Sequence, residues 1–157
     1  MIKTKRNSSS VKTALYYVRL RTHNDHQLFN DVDEPPADYS QCSGATSKIV
    51  AEELLQAAEH HRGVSLEQWV LESNALHALV SLHEERPSQE GKGKPRSLTT
   101  FVAALKAATA KRINLVRNQP GSSVWHRSYQ EQRVEDEMML ARLRKKLNES
   151  EHAIIAG

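Results

Sequence analysis

Residues 64–83 contain the pattern that most restricts the fold of this chain. Residues 64–73 are rich in strand-forming side chains, Asn74 stands where a tight turn would fall, and a second run follows over residues 75–83. In that second run every even position is apolar, whereas the odd positions include His77. Because successive side chains of a strand point to opposite faces, the pattern predicts an antiparallel hairpin with one face in the core and His77 on the other.

Further strands and helices are predicted on both sides of this hairpin. Residues 14–21 alternate like a strand, residues 49–61 and 98–117 have apolar side chains at helical spacing, and residues 122–126 read as a short extended segment. A last helix is expected over about residues 129–148. The order predicts an α+β fold, a ferredoxin-like sandwich whose antiparallel sheet carries helices on one face, plus a C-terminal helix carrying the tyrosine at its start.

Charge is unevenly distributed along the 157 residues, although the net charge is only +3. Residues 1–23, 24–85, 86–133 and 134–157 carry net charges of +6, −10, +8 and −1. Such segregation indicates a basic face that could meet a polyanion, and a solvated patchy surface is the plain alternative.

Composition excludes several classes of protein. Cys42 is the only cysteine, so neither an internal disulfide nor a cysteine-based zinc site can form. No apolar run reaches the ~18 residues of a membrane span, and residues 1–10 lack the apolar stretch of a secretory signal. We expect a cytoplasmic monomer or homodimer, with no membrane partner. Its expected parts are a flexible basic arm (1–13), one domain (14–150) and a tail (151–157).

Several segments, taken in order, resemble one family. Residues 73–80 read SNALHALV and residues 121–129 read GSSVWHRSY, and residues 15–23, 106–114 and 135–140 also match in register. Together they resemble a REP-associated tyrosine transposase, of the HUH single-tyrosine transposase superfamily. The resemblance covers roughly residues 14–150, far more than a single motif.

The resemblance implies that single-stranded DNA is cut and rejoined near a hairpin. In this family a tyrosine attacks phosphorus to form a phosphotyrosine, and a free 3′-hydroxyl reverses the step. A divalent metal, Mg²⁺ or Mn²⁺, is held by two histidines at i and i+2 and by a third ligand one turn beyond the tyrosine. Carried over by position, Tyr129 is the nucleophile, and His77 and Gln132 are metal ligands.

Ala75 stands where the family has its first metal histidine, and a methyl group cannot bind metal. His126 is the better replacement ligand, because His83 lies about 20 Å along the strand from His77. Two functions stay open: a transposase-like enzyme, or an inactive, domesticated protein that binds hairpin DNA. An RNA-binding ferredoxin-like domain ranks third, since the sheet lacks the aromatic pattern that stacks bases.

The resemblance also favours phosphate contacts for part of the basic segment, against the plain reading of a solvated face. Trp69 and Trp125 are expected in the core, and base stacking is the alternative for Trp125. The candidate DNA-binding residues are Lys92, Lys94, Arg96, Lys106, Lys111, Arg112, Arg117 and Arg127.

Overall fold

The computed structural model describes residues 12–29, 45–84, 96–149 and 154–156, which form strands and helices in nearly alternating order. The elements are β1 (Lys12–Arg21), α1 (Ala45–His60), β2 (Val64–Glu72), β3 (Ala75–Glu84), α2 (Arg96–Arg117), β4 (Gln130–Arg133), α3 (Glu137–Asn148) and β5 (Ile154–Ala156).

Within these residues the strands form one sheet in the order β4-β1-β3-β2-β5, and every neighbouring pair is antiparallel. The order of the first four strands is that of the ferredoxin-like sandwich, so the predicted α+β fold is confirmed. The central strand β3 pairs with β1 along its whole length and with β2 from Val64 to Glu72. Position in the middle of the sheet leaves β3 with buried side chains on both faces.

The main core lies between the sheet and helices α1 and α2. Leu76, Val80 and Leu82, from the even positions of β3, are at most 1% exposed, and they belong to the same apolar cluster as Leu54 and Phe101 of the helices. The predicted core face of β3 is therefore confirmed. Each such side chain contributes about 1.5–3 kcal/mol through the area it removes from water.

Both tryptophans lie in this core, as predicted. Trp69 is 1% exposed and Trp125 is 8% exposed. The indole nitrogen of Trp125 donates a 2.8 Å hydrogen bond to Thr109 Oγ1, which satisfies its one polar atom. Trp125 therefore ties the segment before β4 to α2.

Helix α3 covers the opposite face of the sheet. Its Leu147 is buried with Val70 and Leu79, and Leu140 and Leu143 pack against this second cluster. A 2.8 Å hydrogen bond from Gln68 Nε2 to Asn148 Oδ1 fixes the end of the helix over β2. The odd face of β3, which carries His77, is thereby closed from water by the C-terminal helix.

The predicted start of this helix at Tyr129 is wrong. Residues 130–133 are a strand that pairs with residues 16–19 of β1, and the helix begins at Glu137. The Asp136 carboxylate accepts a 2.8 Å hydrogen bond from Met139 N, which is an N-cap that sets the boundary. The segment QEQR has good helical propensity, but pairing with the otherwise open edge of β1 outweighs it.

Two further boundaries differ from the prediction. Residues 122–126 do not supply the fourth strand, because they contribute only an isolated bridge between Thr22 and Trp125. Residues 154–156, expected in a tail, form β5 and pair with residues 69–71 of β2. Most of the predicted arm (1–13) lies outside the described residues. No helix among those described is long and apolar enough to cross a membrane.

A glycine pair tests the connection between α1 and β2. Gly63 (φ +80°) accepts a 2.8 Å hydrogen bond from His83 N, and a Cβ there would lie 2.8 Å from the carbonyl oxygen of His83. Gly121 (φ +83°) would place its Cβ in open space. Gly121→Ala should cost only the left-handed strain, about 1 kcal/mol. Gly63→Ala should cost about 1–3 kcal/mol more, because β3 backbone must move. Urea unfolding of both variants measures the difference, and equal losses would contradict this packing.

Candidate functional site

His77 lies on β3 beneath α3 and is only 7% exposed. Its Nδ1 is 2.7 Å from the Tyr17 hydroxyl, and its Nε2 is 3.0 Å from Glu72 Oε1. A carboxylate can only accept, so Nε2 carries the proton and donates to Glu72; in the neutral ring Nδ1 is then unprotonated and accepts from Tyr17. Both ring nitrogens are therefore bonded to protein groups in a continuous chain, here named the Tyr17–His77–Glu72 chain.

The strand register brings these three side chains together. His77 is opposite Arg19 on β1, so Tyr17 lies two residues further along the same face. Glu72 is opposite Ala75 across the turn between β2 and β3. Ala75 is 1% exposed and lies on the same face of β3 as His77.

Burial sets the protonation of this chain. Desolvation lowers the pKa of His77 below its usual value; the Glu72 carboxylate opposes the shift, while Arg19 and Lys146 add to it. Desolvation also raises the pKa of Tyr17, against a smaller lowering by Arg19. These directions favour a neutral imidazole and a protonated phenol at neutral pH, and both states are compatible with the two hydrogen bonds.

Tyr129 lies in the extended segment before β4, and its side chain packs against the main core on the α1 and α2 side. Its hydroxyl is 3.3 Å from Thr99 Oγ1 on α2. Burial raises the pKa of Tyr129, the hydrogen bond with Thr99 lowers it, and Glu131 raises it further. Tyr129 and His77 therefore face opposite sides of the sheet.

Gln132 lies on β4 opposite Tyr17 of β1, and β1 separates it from His77 on β3. Two strand spacings amount to about 10 Å, and Tyr17 occupies the intervening position. Among the described residues no three His, Cys, Asp or Glu side chains are grouped as a metal site. His77, with both nitrogens engaged, and Gln132 do not fit the divalent ion that the sequence predicts.

The two histidines considered as replacement ligands lie elsewhere. His126 Nδ1 accepts a 3.2 Å hydrogen bond from Ser128 N in the segment before β4. His83 lies near the far end of β3, 3.1 Å from Thr13 Oγ1. Neither is hydrogen-bonded to His77, and no group of metal-ligating side chains in the described part of the chain joins them to it.

A shallow cavity of about 470 Å³ follows strand β4 at the edge of the sheet. It is lined by Tyr17, Tyr129, Gln130, Glu131 and Gln132. The cavity brings the predicted nucleophile and Gln132 to a common rim, whereas His77 reaches it only through the Tyr17 hydroxyl.

Three of the predicted DNA-binding residues make intramolecular contacts. Lys106 Nζ donates to the carbonyl oxygens of His126 (2.7 Å) and Ser128 (3.4 Å), which fixes the approach to β4. Arg112 forms ion pairs with two acids of α1, whose hydrogen bonds raise its pKa. Arg117 donates to Gln119 Oε1.

The other five predicted residues differ in what can be said of them. Lys111 and Arg127 are exposed, on α2 and before β4. Arg96 is the first residue of α2, whereas Lys92 and Lys94 lie outside the described part of the chain.

Sequence reasoning missed Tyr17 and Glu72 as partners of His77. A usable signal was present, because Glu72 is a carboxylate beside a hairpin turn, five residues before a histidine on a strand. Tyr17 could be found only with the β1–β3 register.

Two solved transposase structures share this fold. One is described as a REP-associated tyrosine transposase bound to a REP hairpin, with a TM-score of 0.51, 10% identity and 86% of this chain covered. The present chain spans 62% of that chain. The other is a putative transposase from Deinococcus radiodurans R1, with a TM-score of 0.50, 19% identity, and coverage of 87% of this chain and 90% of that one.

At such identities the likeness is one of fold. No protein-family model matches the chain, and no curated protein matches it in sequence.

Two glutamates of β2 test the Tyr17–His77–Glu72 chain. Glu72→Gln replaces a charge-assisted acceptor with a neutral one and should lower the free energy of unfolding by about 1 kcal/mol. Glu67→Gln, at an exposed position of the same strand, should change it by less than about 0.5 kcal/mol. Urea unfolding at pH 7 measures both variants. Equal effects of the two substitutions would show that the bond to His77 contributes nothing.

Proposed function

We propose that this protein binds single-stranded or hairpin DNA and does not cut it. The observation that supports the absence of cutting is the engagement of both His77 nitrogens by Tyr17 and Glu72. DNA binding is supported by the fold, which is shared with a transposase whose structure holds a REP hairpin. This is the second of the two functions that the sequence leaves open.

DNA cutting by a tyrosine requires that the phenol, the group that takes its proton and the charge that stabilises the phosphate stand together. In this chain Tyr129 packs on the α2 side of the sheet, while the imidazole–carboxylate pair of His77 and Glu72 lies under α3. The Tyr129 hydroxyl lies 3.3 Å from Thr99 Oγ1, and burial raises its pKa. These features support binding without a phosphotyrosine intermediate.

DNA binding itself needs cationic side chains facing phosphates, and little else in the way of chemistry. The transposase-like fold presents its sheet edges and its last helix to solvent, where exposed basic residues are available. A protein that keeps such a surface and has lost the metal ligand at position 75 fits a domesticated relative that recognises DNA.

Cutting and rejoining of DNA through Tyr129 is the second candidate function. It is favoured by one observation, the cavity whose rim Tyr129 shares with Gln132. This candidate uses Mg²⁺ or Mn²⁺, for which the described residues do not form a site.

One assay separates the two functions. Purified protein is mixed with a labelled DNA hairpin that carries single-stranded flanks, in Mg²⁺, Mn²⁺ or EDTA, and run on native and denaturing gels. We expect a shifted band under all three conditions and no covalent adduct, because binding needs no metal and Tyr129 is not activated.

Tyr129→Phe, which removes only the hydroxyl, is the control for an adduct. A covalent band that requires Mg²⁺ or Mn²⁺ and vanishes in Tyr129→Phe would establish the second candidate. No shifted band on any hairpin or single strand would contradict DNA binding altogether.

A further inference from the structure

We propose that the DNA backbone lies on the α3 side of the sheet, where exposed basic residues of α3 and Arg19 of β1 contact its phosphates. This inference rests on the proposed function and names the surface that performs it. The surface is here called the α3 basic face, and its residues are Arg19, Arg142, Arg144, Lys145 and Lys146.

Helix α3 separates its apolar and basic residues. Leu140, Leu143 and Leu147 point to the sheet and form the second core cluster. The four basic residues between positions 142 and 146 are all exposed, and none belongs to an ion pair among the described residues. Four neighbouring cations without a bonded acid are a surface suited to a polyanion.

Helix stability alone does not account for these charges. Lys145 and Lys146 in the last turn complement the negative end of the helix dipole. Arg142 and Arg144 lie one turn earlier, where that field is weak. The net charge of −1 over residues 134–157 hides this basic run, because the five acids of the segment precede it or follow the last helical residue.

Arg19 continues the basic face onto the sheet. Its guanidinium donates a 3.3 Å hydrogen bond to Gln130 Oε1, and its buried Nε has no hydrogen-bond partner within the described residues. Arg19 and Lys146 approach His77 from β1 and from α3, since both lower its pKa. The terminal nitrogens of this planar guanidinium, rather than the buried Nε, are the donors suited to a phosphate oxygen.

On the opposite side of the molecule, two of the basic residues predicted to bind DNA are already engaged by protein groups. Lys106 and Arg112 of α2 are held by backbone carbonyls and by carboxylates of α1. A lipid surface is a poor occupant of the α3 basic face, because the apolar stripe of α3 is buried against the sheet and cannot enter acyl chains. A nucleic-acid backbone needs only the charges.

A pair of matched double variants tests the surface. Arg142→Gln/Lys145→Gln removes two charges from the α3 basic face, and Lys48→Gln/Arg62→Gln removes two exposed charges from the α1 side. Affinity for the labelled hairpin is measured by fluorescence anisotropy at several KCl concentrations. The first variant should bind roughly tenfold more weakly and the control within about twofold. Its slope of log K against log salt should fall by about 1.8 on duplex, or about 1.4 on a single strand.

Two additional variants serve as controls for helix damage and for the position of the DNA contact. Arg142→Lys/Lys145→Arg keeps the charges and should bind like the wild type, which separates lost charge from a damaged helix. Lys111→Gln tests whether α2, which carries several of the DNA-binding residues predicted from the sequence, contacts the DNA. Thermal melting of every variant confirms that it is folded.

The outcomes are distinguishable. If the hairpin binds but Arg142→Gln/Lys145→Gln weakens it no more than Lys48→Gln/Arg62→Gln, the α3 basic face is wrong while the proposed function stands. A larger loss in Lys111→Gln would move the contact to α2. Tighter binding of the matched RNA hairpin would overturn DNA as the occupant. A wild type that binds no DNA refutes the proposed function, and the inference with it.

Discussion

The burial of His77 is the constraint from which the arrangement of the site follows. Strand β3 is central in the sheet, and α3 closes the face that carries His77. A buried imidazole has two polar nitrogens that water cannot satisfy, so the protein must supply a donor and an acceptor. Tyr17 and Glu72 do this from the two neighbouring strands. Once they are in place, neither ring nitrogen is free to bind an ion.

The same constraint divides the molecule by face. The α1 and α2 side contains the main core and receives Tyr129, whose ring packs there and whose hydroxyl meets Thr99. The α3 side contains His77, its partners and the basic residues of the last helix. A catalytic centre of the predicted kind would need Tyr129 and His77 at one point, whereas the cavity along β4 brings Tyr129 together with Tyr17 and Gln132 and is not lined by His77. DNA binding needs only one charged surface, so it is compatible with this division.

The sequence was sufficient for the fold because the informative patterns are local. The alternation in residues 75–83 and the helical spacing in residues 98–117 both predict the observed elements, and the order of elements leaves few topologies. The start of the last helix was mispredicted because residues 130–133 are good helix formers that nevertheless pair with β1. Such a choice depends on an unfilled strand edge, which no local pattern contains.

The site was less predictable, for the same reason. His77 was found on the correct face from its parity alone, but its partners come from β1 and β2 through register. The predicted proximity of Tyr129 and Gln132 to His77 depends on a helix that begins at Tyr129, and the structure has strand β4 at residues 130–133 instead. Arg112 and Lys106 could not be separated from exposed cations by sequence, because their acceptors lie on other elements.

The central claim is that protein groups, and no metal ion, hold the His77 ring. Long-range proton–nitrogen NMR of the uniformly labelled protein measures it most directly, by reporting which ring nitrogen carries the proton. At neutral pH the account predicts a neutral ring protonated at Nε2, with nitrogen shifts that do not move when Mg²⁺ is added. A ring protonated at Nδ1, or a Mg²⁺-dependent shift of the His77 nitrogens, would contradict it.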